Sequence, residues 1–186
     1  MQVQTQRLFV CVDPSPAAVV HLGAVVDDLE VSRAGARLTA RDRWHVTLAF
    51  LGDARVDRID ATAAALDRAW ARTGPVTVRF AGGGTFGRGA FAILWAGLGG
   101  DVNGLVALSL AVRRDLRRAR VHFDPKPFRP HLTISRPGSR LDPAAVAQDV
   151  TTLSTYEGPE WTVVDMHLMA SELGPSPVYT RLHTTS

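Results

Sequence analysis

Two tetrapeptides, His45-Val46-Thr47-Leu48 and His131-Leu132-Thr133-Ile134, repeat one pattern of histidine, apolar residue, threonine, apolar residue. Alternation with a period of two belongs to a half-buried β-strand, in which residues i and i+2 share a face. Each string therefore predicts a strand that presents an imidazole and a hydroxyl side by side. Val46, Leu48, Leu132 and Ile134 then point the other way, into a core. Two of the chain's six histidines stand in this same context. The fold is expected to bring two imidazoles and two hydroxyls face to face.

Around these strings the apolar periodicity predicts alternating strands and helices. Arg7 to Val12 reads as a strand closed by Asp13-Pro14-Ser15-Pro16, and Ala17 to Leu29 as a helix with Ala17, Val20, Ala24 and Leu29 along its stripe. Trp44 to Leu51 is a strand ended by Gly52, and Asp57 to Arg72 a helix stopped by Gly74-Pro75. Val76 to Phe80 and Phe91 to Leu98 are strands joined by residues 81–89, a glycine-rich stretch. It lacks the terminal Lys-Ser/Thr of a phosphate-binding P-loop and leads into a strand, so it reads as a hairpin loop. Asp101 to Ala119 is a helix with Leu105, Leu108, Val112 and Leu116 inward. Pro130 precedes the second His-Thr strand and Pro137-Gly138 ends it. Asp142-Pro143 starts a short helix to about Leu153, and strands Trp161 to Ala170 and Val178 to Leu182 close the chain. The order β-α-β-α-β-β-α-β-α-β-β, with one His-Thr strand in each half and no low-complexity linker, predicts a compact α+β protein of two similar lobes. The expectation is a single two-lobed domain spanning residues 1–186.

The 186 residues, 46% hydrophobic and 21% charged, suit a soluble globular chain of that size. No apolar run approaches the ~20 residues of a membrane helix, and the first residues lack the charged-then-apolar pattern of a signal peptide. Cytoplasmic residence is the resulting expectation. A single cysteine, Cys11, excludes an internal disulfide and a cysteine-built metal cluster. Net charge is +3, and the one basic cluster, Arg113 to Arg120, reads as the solvated face and C-terminal end of a helix. The charge permits an anionic partner without demanding one.

Two histidines can share acid–base work near neutral pH, because the unperturbed imidazole pKa lies there. One neutral ring takes a proton from attacking water while the other, protonated, donates to the leaving oxygen. In-line displacement at phosphorus needs the two groups on opposite sides of the phosphate, and two facing strands supply that geometry. Thr47 and Thr133 are placed to hydrogen-bond the non-bridging oxygens, and an arginine would complement the charge in bidentate fashion. No carboxylate or second histidine stands at close ligand spacing beside either string, so no metal and no cofactor is expected. His21, His122, His167 and His183 lack this context and read as structural or surface residues.

The chain resembles the RNA 2′,3′-cyclic phosphodiesterases of the two-histidine phosphoesterase superfamily, historically called 2′-5′ RNA ligases. The resemblance lies in Arg7-Leu8-Phe9-Val10, in Trp44 to Gly52, in Phe128 to Arg136, and in Ser171-Glu172-Leu173-Gly174-Pro175 with Tyr179 after it. It implies two antiparallel sheets facing across a cleft, helices on the outer faces, and one His-Thr motif from each sheet. It also implies opening of an RNA 2′,3′-cyclic phosphate to a 2′-phosphate, with 2′-5′ ligation as the reverse reaction on the same site. By similarity His45 is the acid that protonates the departing O3′ and His131 the base that activates water. Thr47, Thr133 and Arg136 hold the phosphate, and Phe9 matches a base-stacking position, although it also reads as an ordinary core residue of the first strand. Arg136 lies five residues after His131, so strict alternation puts it on the opposite face unless the strand bends or ends. Trp44 directly precedes its histidine and reads as core or rim.

Three other readings use the same strings. A related enzyme could act on a small cyclic nucleotide or a 2′-5′ oligonucleotide. A binding module for RNA ends would have lost turnover, and a structural pair would only cross-brace the sheets. The expected partner is RNA with a 2′,3′-cyclic phosphate end, the expected state a monomer.

Overall fold

The computed structural model describes residues 4–87, 92–136, 142–172, 174 and 177–185. The predicted boundaries at Phe91 and Pro137-Gly138, and Leu173 and Pro175 of the closing segment, lie outside them. Among the described residues the strands form two four-stranded antiparallel sheets. The first sheet holds β1 (Thr5–Val12), β2 (Val46–Arg55), β7 (His167–Glu172) and β8 (Val178–Thr184), in the order β2-β1-β7-β8. The second holds β3 (Val76–Phe86), β4 (Ile93–Gly100), β5 (His131–Thr133) and β6 (Glu157–Val163), in the order β5-β4-β3-β6. The chain's two ends thus build one sheet and its middle the other. The edge strands β2 and β5, which carry the two His-Thr strings, lie against each other across the gap between the sheets. This is the expected α+β architecture.

Alternation does what the sequence requires at both strings. Val46, Leu48, Leu132 and Ile134 have no exposed surface, while His45, Thr47, His131 and Thr133 remain partly open. Trp44 is buried as well, its indole N–H donating to the Thr39 carbonyl at 2.9 Å.

The helices cross between the lobes. Helix α1 (Pro16–Asp27) connects two strands of the first sheet yet packs on β6 and β3 of the second. Helix α4 (Val102–Arg118) connects two strands of the second sheet yet packs on β2 and on α3 (Ile59–Thr73). Ser109 ties it there by donating to the Leu48 carbonyl at 2.8 Å. The four residues expected inward, Leu105, Leu108, Val112 and Leu116, are all buried, together with Ser109, Ala111 and Asp115, and Asp101 caps the helix by accepting from the Gly104 N–H. Helix α5 (Pro143–Ser154) begins at the predicted Asp142 cap and packs on β3. Between α1 and β2 a short helix, α2 (Glu30–Arg33), is fixed by the buried Asp149 of α5, whose carboxylate accepts from the Glu30 and Val31 amides. No helix among the described residues is long and apolar enough to cross a membrane.

Four local expectations are corrected. Helix α1 ends at Asp27 and buries Ala18, Leu22 and Val26, not the stripe of Ala17, Val20 and Ala24. It is apolar at nearly every position, so periodicity could not choose a face. Gly52 does not end β2 but sits in a bulge at φ +67°, where the register against β1 shifts between the Leu8↔Gly52 and Phe9↔Phe50 pairs. The stretch from Trp161 to Ala170 is two strands in different sheets, β6 and β7. The glycines from 82 to 84 continue β3 and are not its loop. Gly82 takes up a bulge at φ +68°, and a side chain on Gly83 or Gly84 would collide with Leu153 of α5 or with the Trp95 indole.

Candidate active site

His45 stands immediately before β2 and His131 opens β5. Their rings are held in the same way. His45 Nδ1 lies 2.8 Å from the Arg43 carbonyl, and His131 Nδ1 lies 2.6 Å from the Arg129 carbonyl. A carbonyl only accepts, so each Nδ1 carries a proton and each neutral ring keeps Nε2 for chemistry. The clamp comes from the backbone two residues upstream in both cases, which makes it part of each strand entry.

Aromatic rings fix the two imidazoles further. Phe9 of β1 stacks on His45 at 4.9 Å between centroids, and Tyr179 of β8 meets it edge-on at 5.6 Å. Phe86 of β3 meets His131 edge-on at 4.8 Å, with Trp95 of β4 at 6.3 Å. Phe9 is only 5% exposed. Its ring is therefore occupied with His45 and leaves little area for the base expected there.

Thr47 lines two cavities that meet at the strand. One, of about 140 Å³, also touches His45, Arg7, Phe50, Arg136 and Tyr179. The other, of about 570 Å³, reaches His131 and Phe86. Thr133 stands opposite Trp95 on the same strand face as His131.

Arg136 reaches this place because the ladder breaks after Thr133. The amides of Ile134 and Ser135 both donate to the Leu94 carbonyl, at 2.9 and 3.2 Å, which inserts one residue and shifts the alternation. Ile134 and Ser135 are consequently both buried. The Arg136 guanidinium then donates to the Tyr179 hydroxyl at 3.0 Å, across the two sheets. Pro137-Gly138, the expected reason for such a bend, lies outside the described residues.

The electrostatics distinguish the two histidines. Burial pushes both below the ordinary imidazole pKa, and the Nδ1 clamps oppose that shift. For His45 the Asp13 carboxylate also favours the charged ring, while Arg136 and His131 disfavour it. Asp13, in the turn after β1, lies with His45 on the wall of a third cavity of about 590 Å³. Despite its own partial burial its carboxylate is kept ionised, held by His167 at 3.3 Å and Arg181 at 2.8 Å. Among the described residues no carboxylate acts on His131 in this way. In the sequence Asp13 reads as a turn residue, and Phe86 and Trp95 as parts of a loop and a strand. The only local hint is the strand placement of Trp95, which the structure sets against the glycines that make room for it. His167 is buried and structural, with Nδ1 3.0 Å from the Thr184 hydroxyl. His183 pairs with Asp67 at 2.7 Å.

Comparison with known proteins gives the family and the fold. RNA 2′,3′-cyclic phosphodiesterase of Geobacillus stearothermophilus is 37% identical over 98 residues, a match covering 50% of this chain and 30% of that protein. The chain thus matches less than a third of that relative's length. E. coli LigT without ligand shares the fold at a TM-score of 0.75, with 22% identity and coverage of 98% of this chain and 99% of LigT. TT0787 of Thermus thermophilus superposes at a TM-score of 0.73, with 26% identity and 97% of each chain covered. The family model described as the 2′-5′ RNA ligase superfamily matches residues 14–175. The chain belongs to that superfamily, whose members are two-histidine phosphoesterases.

Proposed function

We propose that this protein hydrolyses a terminal 2′,3′-cyclic phosphate on RNA to a 2′-phosphate, using His45 and His131 as its acid–base pair. The observation that carries this reading is the matched Nδ1 clamp on two histidines from two facing edge strands. The Geobacillus relative's activity is consistent with it.

His131 Nε2 takes a proton from water as the water oxygen bonds to phosphorus. The P–O3′ bond breaks, and His45 Nε2–H gives its proton to O3′. The ring pair ends with its proton moved from His45 to His131, and exchange with solvent restores it. The Asp13 carboxylate supports His45 as the acid, because it favours the imidazolium there and nothing equivalent favours it at His131. Thr47, Thr133 and Arg136 hold the non-bridging oxygens, and Tyr179 aims Arg136. Phe9 serves as the packing floor of His45 instead of a base platform. None of these steps calls on a metal or cofactor.

The test is incubation of a short RNA ending in a 2′,3′-cyclic phosphate, in EDTA, with identification of the product isomer. Conversion to the 2′-phosphate is expected. An unchanged RNA end, or a 3′-phosphate product, would overturn the proposal.

A further inference from the structure

Helices α3 and α4 meet over one buried carboxylate. Asp115 of α4 has no exposed surface, and Arg72 of α3 and Arg118 of α4 both pair with it, Arg118 at 3.7 Å. Arg68 stands one turn before Arg72, and Arg114 one turn before Arg118. All four arginines are exposed. Their charges reach one another. The Arg72 guanidinium is held below its ordinary pKa by desolvation first, and then by Arg114, Arg118 and Arg68. Arg68 and Arg114 make no ion pair among the described residues. Asp67, the acid beside Arg68, is taken by His183 instead.

Helix ends explain part of this charge and not the whole. Arg72 and Arg118 lie in the last turns of their helices, where each macrodipole presents about half a negative charge. Those two ends and Asp115 together offset roughly two of the four cations. The rest of the charge works against the fold, because Arg68 with Arg72 and Arg114 with Arg118 are like-charge pairs at i,i+4, an arrangement that weakens a helix. An anion from outside would relieve both pairs.

Guanidinium groups match phosphate oxygens in bidentate fashion. Neither helix offers an aromatic face, since Trp70, the one aromatic residue of the two, is buried, and a single strand would find nothing to stack on. A double helix hides its bases and presents its phosphates. Leu110 is the one exposed large apolar residue among the described residues of these helices, too little apolar surface to enter a lipid layer. We infer that Arg68, Arg72, Arg114 and Arg118 form an RNA site outside the cleft, which grips the phosphate backbone of a double-helical segment without reading its sequence. RNA as the partner rests on the proposed phosphodiesterase reading. Arg114 directly follows Arg113, which lines the 570 Å³ cavity beside His131, so the patch lies round α4 from the cleft and leaves the path of the reacting nucleotide untouched. The basic run from Arg113 to Arg120 then acts as more than a solvated helix end.

The experiment measures binding of a dumbbell RNA, a duplex closed by a loop at each end, which has no terminus to enter the cleft. Fluorescence anisotropy over a salt series compares wild type with Arg68→Ala and Arg114→Ala, singly and together; neither side chain pairs with Asp115. Wild type should bind the dumbbell, more weakly as salt rises. Each substitution should flatten the slope of log K against log salt by ~0.9 and weaken binding roughly ten-fold at 50 mM salt. Hydrolysis of a nucleoside 2′,3′-cyclic phosphate should stay at the wild-type rate in all three variants. A dumbbell that does not bind would overturn the inference, as would variants that keep the wild-type affinity and slope. Wild type that binds phosphatidylserine vesicles and not the dumbbell would assign the patch to a membrane and overturn it too. Dumbbell binding that depends on these arginines, in a wild type that hydrolyses no cyclic phosphate, would sink the phosphodiesterase reading and leave the RNA site standing.

Discussion

At the scale of single residues the account turns on two imidazoles that look alike and are made unequal by their surroundings. Both are clamped through Nδ1 and both are lowered by burial, but the Asp13 carboxylate bears on His45 alone. An acid must be protonated to work, so loss of the His45 proton sets the alkaline limb of kcat/KM. Removing the carboxylate lowers the His45 pKa further. Asp13→Asn should therefore shift that limb to lower pH and leave the acid limb, which reports His131, in place. Arg181→Ala loses the same ion pair but keeps the carboxylate, and it should produce no such downward shift. If both variants move the limb alike, Asp13 acts only through packing. The His-Thr strings announced the imidazoles in the sequence because their spacing is local. Asp13 stayed hidden because its relation to His45 arises only when β1 and β2 pair, Cys11 lying opposite Thr47 and Val12 opposite Val46.

At the scale of elements the site depends on strands that depart from regularity. A bulge after Thr133 turns Arg136 into the cleft, which alternation alone would forbid. A second bulge lets β3 continue through its glycines, bringing Phe86 against His131. Those glycines looked like loop residues because their composition signals turns, whereas their actual cause is close approach. A Cβ on Gly83 would lie 2.7 Å from Leu153 Cβ and 2.8 Å from the Trp95 carbonyl oxygen, and the latter is backbone. Gly83→Ala should thus cost about 1–3 kcal/mol, the usual range for overpacking a close contact. Thermal unfolding would register this as a fall of several degrees, and an unchanged melting temperature would contradict the explanation. Helix α4 was readable to its caps because its apolar stripe is narrow. Helix α1 was not, because apolar residues surround it.

At the scale of the molecule the two sheets are tied by exchanged helices. Helix α1 leaves the first sheet to cover the second, and α4 leaves the second to cover the first. The apolar side chains of both lobes join one continuous cluster, from Leu8 and Val46 through Phe80 to Leu132. We propose that the lobes fold as one unit over residues 1–186. Denaturant unfolding followed by far-UV circular dichroism and by tryptophan fluorescence should give one coincident transition. Two separated transitions would assign each lobe its own stability. The paired lobes were foreseeable from the duplicated string. The exchange of helices was not, because short connections leave open which sheet a helix covers.

The central claim is that two histidines, one from each sheet, divide the proton transfers at a cyclic phosphate. Its most direct test is single-turnover hydrolysis of an RNA 2′,3′-cyclic phosphate by His45→Ala and His131→Ala, with circular dichroism confirming that both variants are folded. The account predicts that each substitution alone slows the chemical step by ~10²–10⁴. A folded variant of either kind that turns over at the wild-type rate would contradict it.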